Sequence, residues 1–128
     1  MQRKTKQREV IAACFSREQR PLTATEVHAL ASKDCPSLSI ATVYRAVKAL
    51  LESGVLVQVV IGGATRYELA DKARHHHFHC QECDRAFCLE ACPIHGKGLA
   101  PKGFTVRDLD VVVLGVCPAC GSSGIEED

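Results

Sequence analysis

The chain has 128 residues, 46% of them hydrophobic and 24% charged, with a formal charge of +1. This composition excludes a disordered or collagen-like chain, and the length allows one ordinary domain or two very small ones. No apolar run approaches the roughly 20 residues of a membrane helix, and the opening MQRKTKQREV lacks a secretory apolar stretch; the expectation is a cytoplasmic chain without a membrane partner.

From about Lys4 to Ser16, the apolar residues Val10, Ile11, Cys14 and Phe15 recur at helical spacing. Arg3, Lys4, Lys6 and Arg8 crowd the start of this helix, where the dipole disfavours cations, so an anionic partner is expected there. Pro21 ends the element. Thr23 followed by Glu26 is a capping-box pattern that opens a second helix through Val27, Leu30 and Ala31, closed by Pro36. A third helix starts at Ser39 or Ile40. Its stripe is Val43, Val47, Leu50 and Leu51, its C-cap is Gly54, and Tyr44, Arg45 and Lys48 point elsewhere. Val55–Ile61, Gly62-Gly63 and Ala64–Leu69 then read as a hairpin. Three helices and a hairpin are the order of a winged helix-turn-helix.

Asp71–Arg74 reads as a polar linker, followed by short strands near His75–Cys80 and Ala86–Leu89. Pro93–Gly103 has room for one helical turn. Phe104–Cys117 is expected to be a longer strand, buried at its apolar stretch Val111–Val116, and Gly121–Asp128 a frayed tail. Charge divides the chain as well. Residues 1–60 carry nine Lys/Arg and five Asp/Glu, whereas residues 61–128 carry seven and ten. Six of the eight cysteines and five of the six histidines fall between His75 and Cys120. The fold class expected is α+β: a winged-helix domain at 1–70, a hinge at 71–74 and a small α/β metal-binding domain at 75–128. Modules this small have little core, so a structural metal would help each to hold.

Eight cysteines in a cytoplasmic chain point to metal or redox chemistry. Cys80-x-x-Cys83 and Cys117-x-x-Cys120 each offer two thiolates to a tetrahedral Zn²⁺. A redox CxxC or a pair of disulfides are the competing readings. His75 and His77 share one face of a strand and form half of a transition-metal site, with His76 on the other face. Cys88, Cys92, His95, Glu90 and Glu68 are candidates to complete it. Cys14 and Cys35 are isolated and expected to pack. No HExxH, P-loop, nucleophile elbow or deaminase signature occurs, so the chain reads as no enzyme and has no small-molecule substrate.

These residues resemble the ferric uptake regulator superfamily of bacterial metalloregulators over nearly the whole chain. Thr5-Lys6-Gln7-Arg8 is similar to its opening T-x-x-R, Thr23–Val27 to the start of its second helix, and Ser39-Ile40-Ala41-Thr42-Val43-Tyr44-Arg45 to its recognition-helix signature S-x-A-T-V-Y-R. Leu51–Leu56 continues the match, and His75-x-His77-x-x-Cys80-x-x-Cys83 has the family's spacing, with Glu68 seven residues before His75.

The resemblance implies a homodimeric repressor on near-palindromic, double-stranded operator DNA, with a winged helix for DNA and an α/β domain for dimerisation. It places Arg3 at the minor groove, Thr42 and Tyr44 at the major groove and Arg45 on phosphate. It implies structural Zn²⁺ on Cys80, Cys83, Cys117 and Cys120. It also implies a sensory site between the domains, on Glu68, His75, His77 and Cys88, holding Zn²⁺ or Fe²⁺/Mn²⁺. A thiolate at Cys88 in place of a carboxylate softens that site towards zinc and the zinc uptake regulator branch. A third site would draw on His76, Glu90, Cys92 and His95. The chain departs from the pattern at Pro21-Leu22, where the family has a ligand, at Leu109, and between Cys92 and Phe104, too short and too rich in Gly and Pro for the family's long dimer-packing helix. Iron or peroxide sensing in the same superfamily is the alternative function, and a zinc-buffering protein without DNA binding is a third.

Overall fold

The computed structural model describes residues 3–72, 76–91 and 98–121. The elements run α1 (Arg3–Glu18), α2 (Ala24–Ala31), α3 (Ile40–Glu52), β1 (Leu56–Ile61), β2 (Ala64–Leu69), a 3-10 turn (Ala70–Lys72), β3 (His76–Cys80), β4 (Ala86–Cys88) and β5 (Val111–Gly115). The class is α+β. The chain divides into two compact units, Met1–Ala73 and Arg74–Asp128.

In the first unit the helices begin where capping chemistry requires. Thr23 Oγ1 accepts the Glu26 N–H at 3.0 Å, and Glu26 Oε1 accepts the Thr23 N–H at 2.9 Å. Ser39 caps α3 by accepting from the Thr42 N–H at 3.1 Å. Ile11, Cys14 and Phe15 of α1 meet Val27 and Ala31 of α2 and Val43, Ala46 and Val47 of α3 in one apolar core, joined by Leu22, Leu38 and Leu56. Cys14 and Cys35 lie within it. Gly54, at φ 83°, releases the chain from α3 into β1. β1 and β2 pair antiparallel from Leu56↔Leu69 to Ile61↔Ala64. Gly62 and Gly63, at φ 64° and 76°, supply the two left-handed residues of a tight hairpin turn.

Two features of this unit are not read from the sequence. Leu22 and Tyr67 exchange backbone hydrogen bonds of 2.9 and 2.8 Å, so the segment after Pro21 adds a one-residue third strand to the hairpin. Arg66, a residue type that ordinarily reads as surface, is 0% exposed. Its Nε donates to the Ile61 carbonyl at 3.0 Å, and its Nη1 lies 3.9 Å from Glu26 Oε1. Glu26 also meets Arg20 at 3.5 Å. One carboxylate therefore ties the start of α2 to the hairpin.

The second unit is a sheet of order β4-β3-β5, in which β3 pairs antiparallel with β4 and parallel with β5. The strand expected over Phe104–Cys117 is shorter: only Val111–Gly115 pairs. The expectation of burial there is corrected too. Val112, Val113, Leu114 and Val116 are exposed. The reason is topological: β5 has a strand on one side only, and among its described residues the second unit contains no helix to cover it. Residues 93–97 of the segment expected to hold a helical turn lie outside the described residues, as does the expected tail beyond Gly121.

Gly115 of β5 lies against the Phe78 ring of β3. A Cβ added there would lie 2.9 Å from Phe78 Cζ, inside van der Waals contact. Gly115→Val is expected to lower stability by about 1–3 kcal/mol, the usual penalty of overpacking. Thermal melting checks this, and Phe78→Leu in the same chain should restore much of the loss by removing the ring edge.

Candidate functional site

The sheet explains how two distant CxxC pairs converge. β3 and β5 run parallel with Cys80 opposite Gly115, so Cys80 and Cys117, two residues past Gly115, emerge at the same end of the sheet. The residues after each strand turn back sharply. Asp84 takes φ 67° and its N–H donates to the Cys80 carbonyl at 2.9 Å, while the Cys120 and Gly121 N–H groups donate to the Cys117 carbonyl at 3.0 and 2.8 Å. The Sγ atoms of Cys80, Cys83, Cys117 and Cys120 consequently lie within 4.8 Å of one another. Cys83 and Cys117 Sγ are 3.7 Å apart. A tetrahedral zinc with Zn–S near ~2.3 Å requires sulfur–sulfur edges of about 3.8 Å, so the cluster fits that ion. The same separation is far beyond the ~2.05 Å of a disulfide bond, and these four cysteines are free.

Thiol ionisation in the cluster is divided. Burial opposes a thiolate at Cys80, but backbone N–H donors from Cys83, Cys117 and Glu82 outweigh it and bring the thiol down to about 6. The Cys83 and Cys117 N–H groups approach this sulfur at 3.4 and 3.3 Å. Burial raises Cys83, and burial together with the neighbouring thiols pushes Cys120 up to about 12. A sulfur inclined to ionise, Cys80, beside two thiols that resist ionisation, Cys83 and Cys120, is an arrangement a divalent cation would relieve, because metal binding draws protons off such ligands.

Sequence reasoning missed His79 and Asp84. His79 Nε2 lies 2.6 Å from Asp84 Oδ1 and spans the turn that carries Cys80 and Cys83. The available signal was a histidine directly before the first CxxC, passed over because its neighbours form the recognisable pair.

The other expected ligands fall as follows. His77 on β3 is directly opposite Cys88 on β4. Such a cross-strand pair has its side chains on one face, with Cβ atoms about 4.5–5.5 Å apart. His77 is 1% exposed and Cys88 is half-buried. Glu68, on β2, is a buried carboxylate. His76 lies on the opposite face of β3, half-buried, and Glu90 is exposed; neither joins a metal-sized ligand cluster among the described residues. His75, Cys92 and His95 lie outside the described residues.

On the first unit α3 buries Val43, Ala46 and Val47 and exposes the opposite face, with Tyr44 53% accessible and Arg45 and Lys48 also exposed. Arg45 Nη2 donates to Thr42 Oγ1 at 3.1 Å, and Thr42 Oγ1 in turn is 2.9 Å from Ser39 Oγ. The helix cap thus extends into the side chain expected to meet phosphate. Arg3 opens α1, its side chain outside the described portion.

Residues 2–113 match the Ferric uptake regulator family. A ferric uptake regulation protein of Bacillus subtilis is 28% identical over 130 residues, covering 95% of this chain and 87% of that protein. One from Synechocystis is 32% identical over 124 residues, covering 91% and 75%. Among solved structures, a zinc-bound manganese uptake regulator superposes with a TM-score of 0.70 at 22% identity, covering 87% of each chain, a likeness of fold.

Proposed function

The chain belongs to the ferric uptake regulator family, whose members are metal-responsive transcriptional regulators and not enzymes, and we propose that within it this protein is a zinc-responsive repressor that binds operator DNA as a homodimer in the cytoplasm. The observation that carries the zinc assignment is the pairing of His77 with a thiol, Cys88, across β3 and β4. Imidazole and thiolate together favour zinc over manganese or ferrous iron, whose preferred ligands are harder. The proposed regulatory set is Glu68, His75, His77 and Cys88. A further site would draw on His76, Glu90, Cys92 and His95; of these His76 is half-buried on β3 and Glu90 is exposed. Cys80, Cys83, Cys117 and Cys120 would hold the structural zinc.

The DNA-facing half of the reading is supported by α3, which presents Tyr44 and Arg45 outward beside Thr42. The chain's own residues divide the work. Tyr44 and Thr42 would meet base edges, Arg45 a phosphate, and Arg3 the minor groove. Zinc held by Glu68, His75, His77 and Cys88 would supply the differential binding that favours the DNA-competent conformation, by the roughly 1–3 kcal/mol typical of allosteric coupling. Among the described residues no helix is long and apolar enough to cross a membrane.

Cys88→Ala tests this. Metal analysis of protein purified without added metal is expected to fall from two equivalents per chain to one, and operator affinity in fluorescence anisotropy is expected to lose its dependence on added zinc. A variant that keeps both equivalents and the zinc response would end the assignment of Cys88. Iron sensing is the second reading, favoured by the ferric uptake regulation proteins among the relatives. Ferrous iron restoring operator binding at lower free concentration than zinc would favour it.

A further inference from the structure

The open groove between α1 and α3 sets two residues of α1, Gln7 and Arg8, beside two of the expected DNA contacts, Thr42 and Arg45. It encloses about 250 Å³ and is formed by Gln7 and Arg8 of α1 with Thr42, Arg45, Ala46 and Ala49 of α3. Its chemistry is one-sided. Two guanidinium groups, an amide and a hydroxyl face a floor of alanine methyls, and no carboxylate lines it. The small residues at 46 and 49 leave room for a group to enter. Arg45 is already steered by its 3.1 Å hydrogen bond to Thr42, so one wall of the groove is organised before anything binds. Arg8 lies on an exposed face of α1, in a first stretch rich in Lys and Arg, where the helix dipole disfavours cations and an anion would compensate them.

We propose that this groove is an anion seat for one phosphate group, in which Arg8 and Gln7 act with Arg45 as a clamp from two helices, and that its occupant is a phosphodiester of the operator backbone. Arg8 thereby becomes a DNA-binding residue on α1. This rests on the DNA-binding reading and deepens it. Guanidinium pairs match phosphate oxygens in geometry as well as charge. A clamp contributed by two helices fixes the angle at which α3 enters the major groove, because the contact constrains α1 against the same backbone that α3 spans.

The test uses the full chain, zinc-loaded, and a duplex of about 30 base pairs, long enough for two half-sites, selected from a random pool by the wild-type protein. Arg8→Gln keeps the helix and removes the charge. Ala49→Glu places a carboxylate in the groove. Each is expected to weaken binding at least about tenfold, as loss of a charged hydrogen bond does, and to make the slope of log affinity against log salt shallower, because a phosphate is no longer neutralised. Combining Arg8→Gln with Arg45→Ala should give less than the product of the single effects, since both side chains serve one phosphate. Arg8→Gln and Ala49→Glu that bind with wild-type affinity and salt slope overturn the clamp alone. Wild-type protein that selects and binds no duplex overturns the DNA reading itself. Titration with inorganic phosphate, followed by NMR at Gln7 and Arg8, separates the sources: saturation by free phosphate with duplex binding indifferent to Arg8 shows a free-anion site and rejects the backbone assignment.

Discussion

Cys117→Ala is expected to abolish binding of the proposed structural zinc and unfold the second unit while the first stays folded. The argument is one of scale. The large apolar cluster belongs wholly to residues of the first unit. Among the described residues of the second, the buried ones are His77, Cys80, Ala86 and Cys117, too little apolar surface to hold a three-stranded sheet in water. A structural zinc site contributes an apparent 10–16 kcal/mol of folding free energy, roughly, in small metal domains, more than such a sheet could lose and survive. Removing one of four thiolates also strips the Cys117 N–H···Sγ contact to Cys80 of its frame. Zinc content and amide hydrogen exchange measure the outcome. Protection across β3 and β5 should disappear, and α1–α3 should keep theirs. Cys14→Ala, in the other unit's core, is the control that should retain its zinc. A Cys117→Ala protein with full zinc and an intact sheet would show that the clamp is not what holds this unit.

Arg66→Ala should be the most damaging single change in the first unit. The side chain is fully buried, it satisfies the Ile61 carbonyl at the end of β1, and it faces the Glu26 carboxylate that closes the α2 capping box. Truncation leaves a cavity, takes the side-chain donor from the Ile61 carbonyl and leaves the Glu26 carboxylate with one cation fewer. Breaking a buried charged contact from one side costs about 3–5 kcal/mol, and a unit this small loses about 4–8 °C in melting temperature for each kcal/mol. Arg66→Met, which refills the volume without the charge, should recover part of the loss. Urea denaturation of the two variants reads both numbers. A loss below about 1 kcal/mol for the alanine variant, the level of a surface ion pair, would mean that Arg66 is held in place by the core and contributes little to it.

The three helices and the hairpin are legible because each is announced locally. Thr23 and Glu26 declare a cap, Ser39 another, and Gly62-Gly63 declares a turn with two left-handed residues. The four-thiol cluster is legible for a different reason: cysteine pairs at CxxC spacing state their chemistry, and only the parallel pairing that unites them has to be supplied by the fold. Arg66 is not legible, because nothing in Ala64–Leu69 distinguishes an arginine on the solvent face from one whose partner lies on another element. The exposure of Val112, Val113 and Leu114 is hidden for a related reason. A continuous apolar run reports that a strand tolerates cover, and it cannot report how many neighbours the topology provides. The bond between Leu22 and Tyr67 joins positions far apart in the chain, and no local pattern encodes it.

The parallel pairing of β3 with β5 also bears on the order in which the protein is made. Cys80 and Cys117 can meet only after the whole intervening stretch has been synthesised, whereas α1, α2, α3 and the hairpin close through earlier residues. Contacts of such sequence separation form late. On the ribosome the helical unit is free to assemble first, and the sheet must wait until Cys117 and Cys120 have emerged. Zinc capture would then act as a final seal: a chain interrupted before those cysteines carries the helices proposed to grip DNA but lacks the finished clamp.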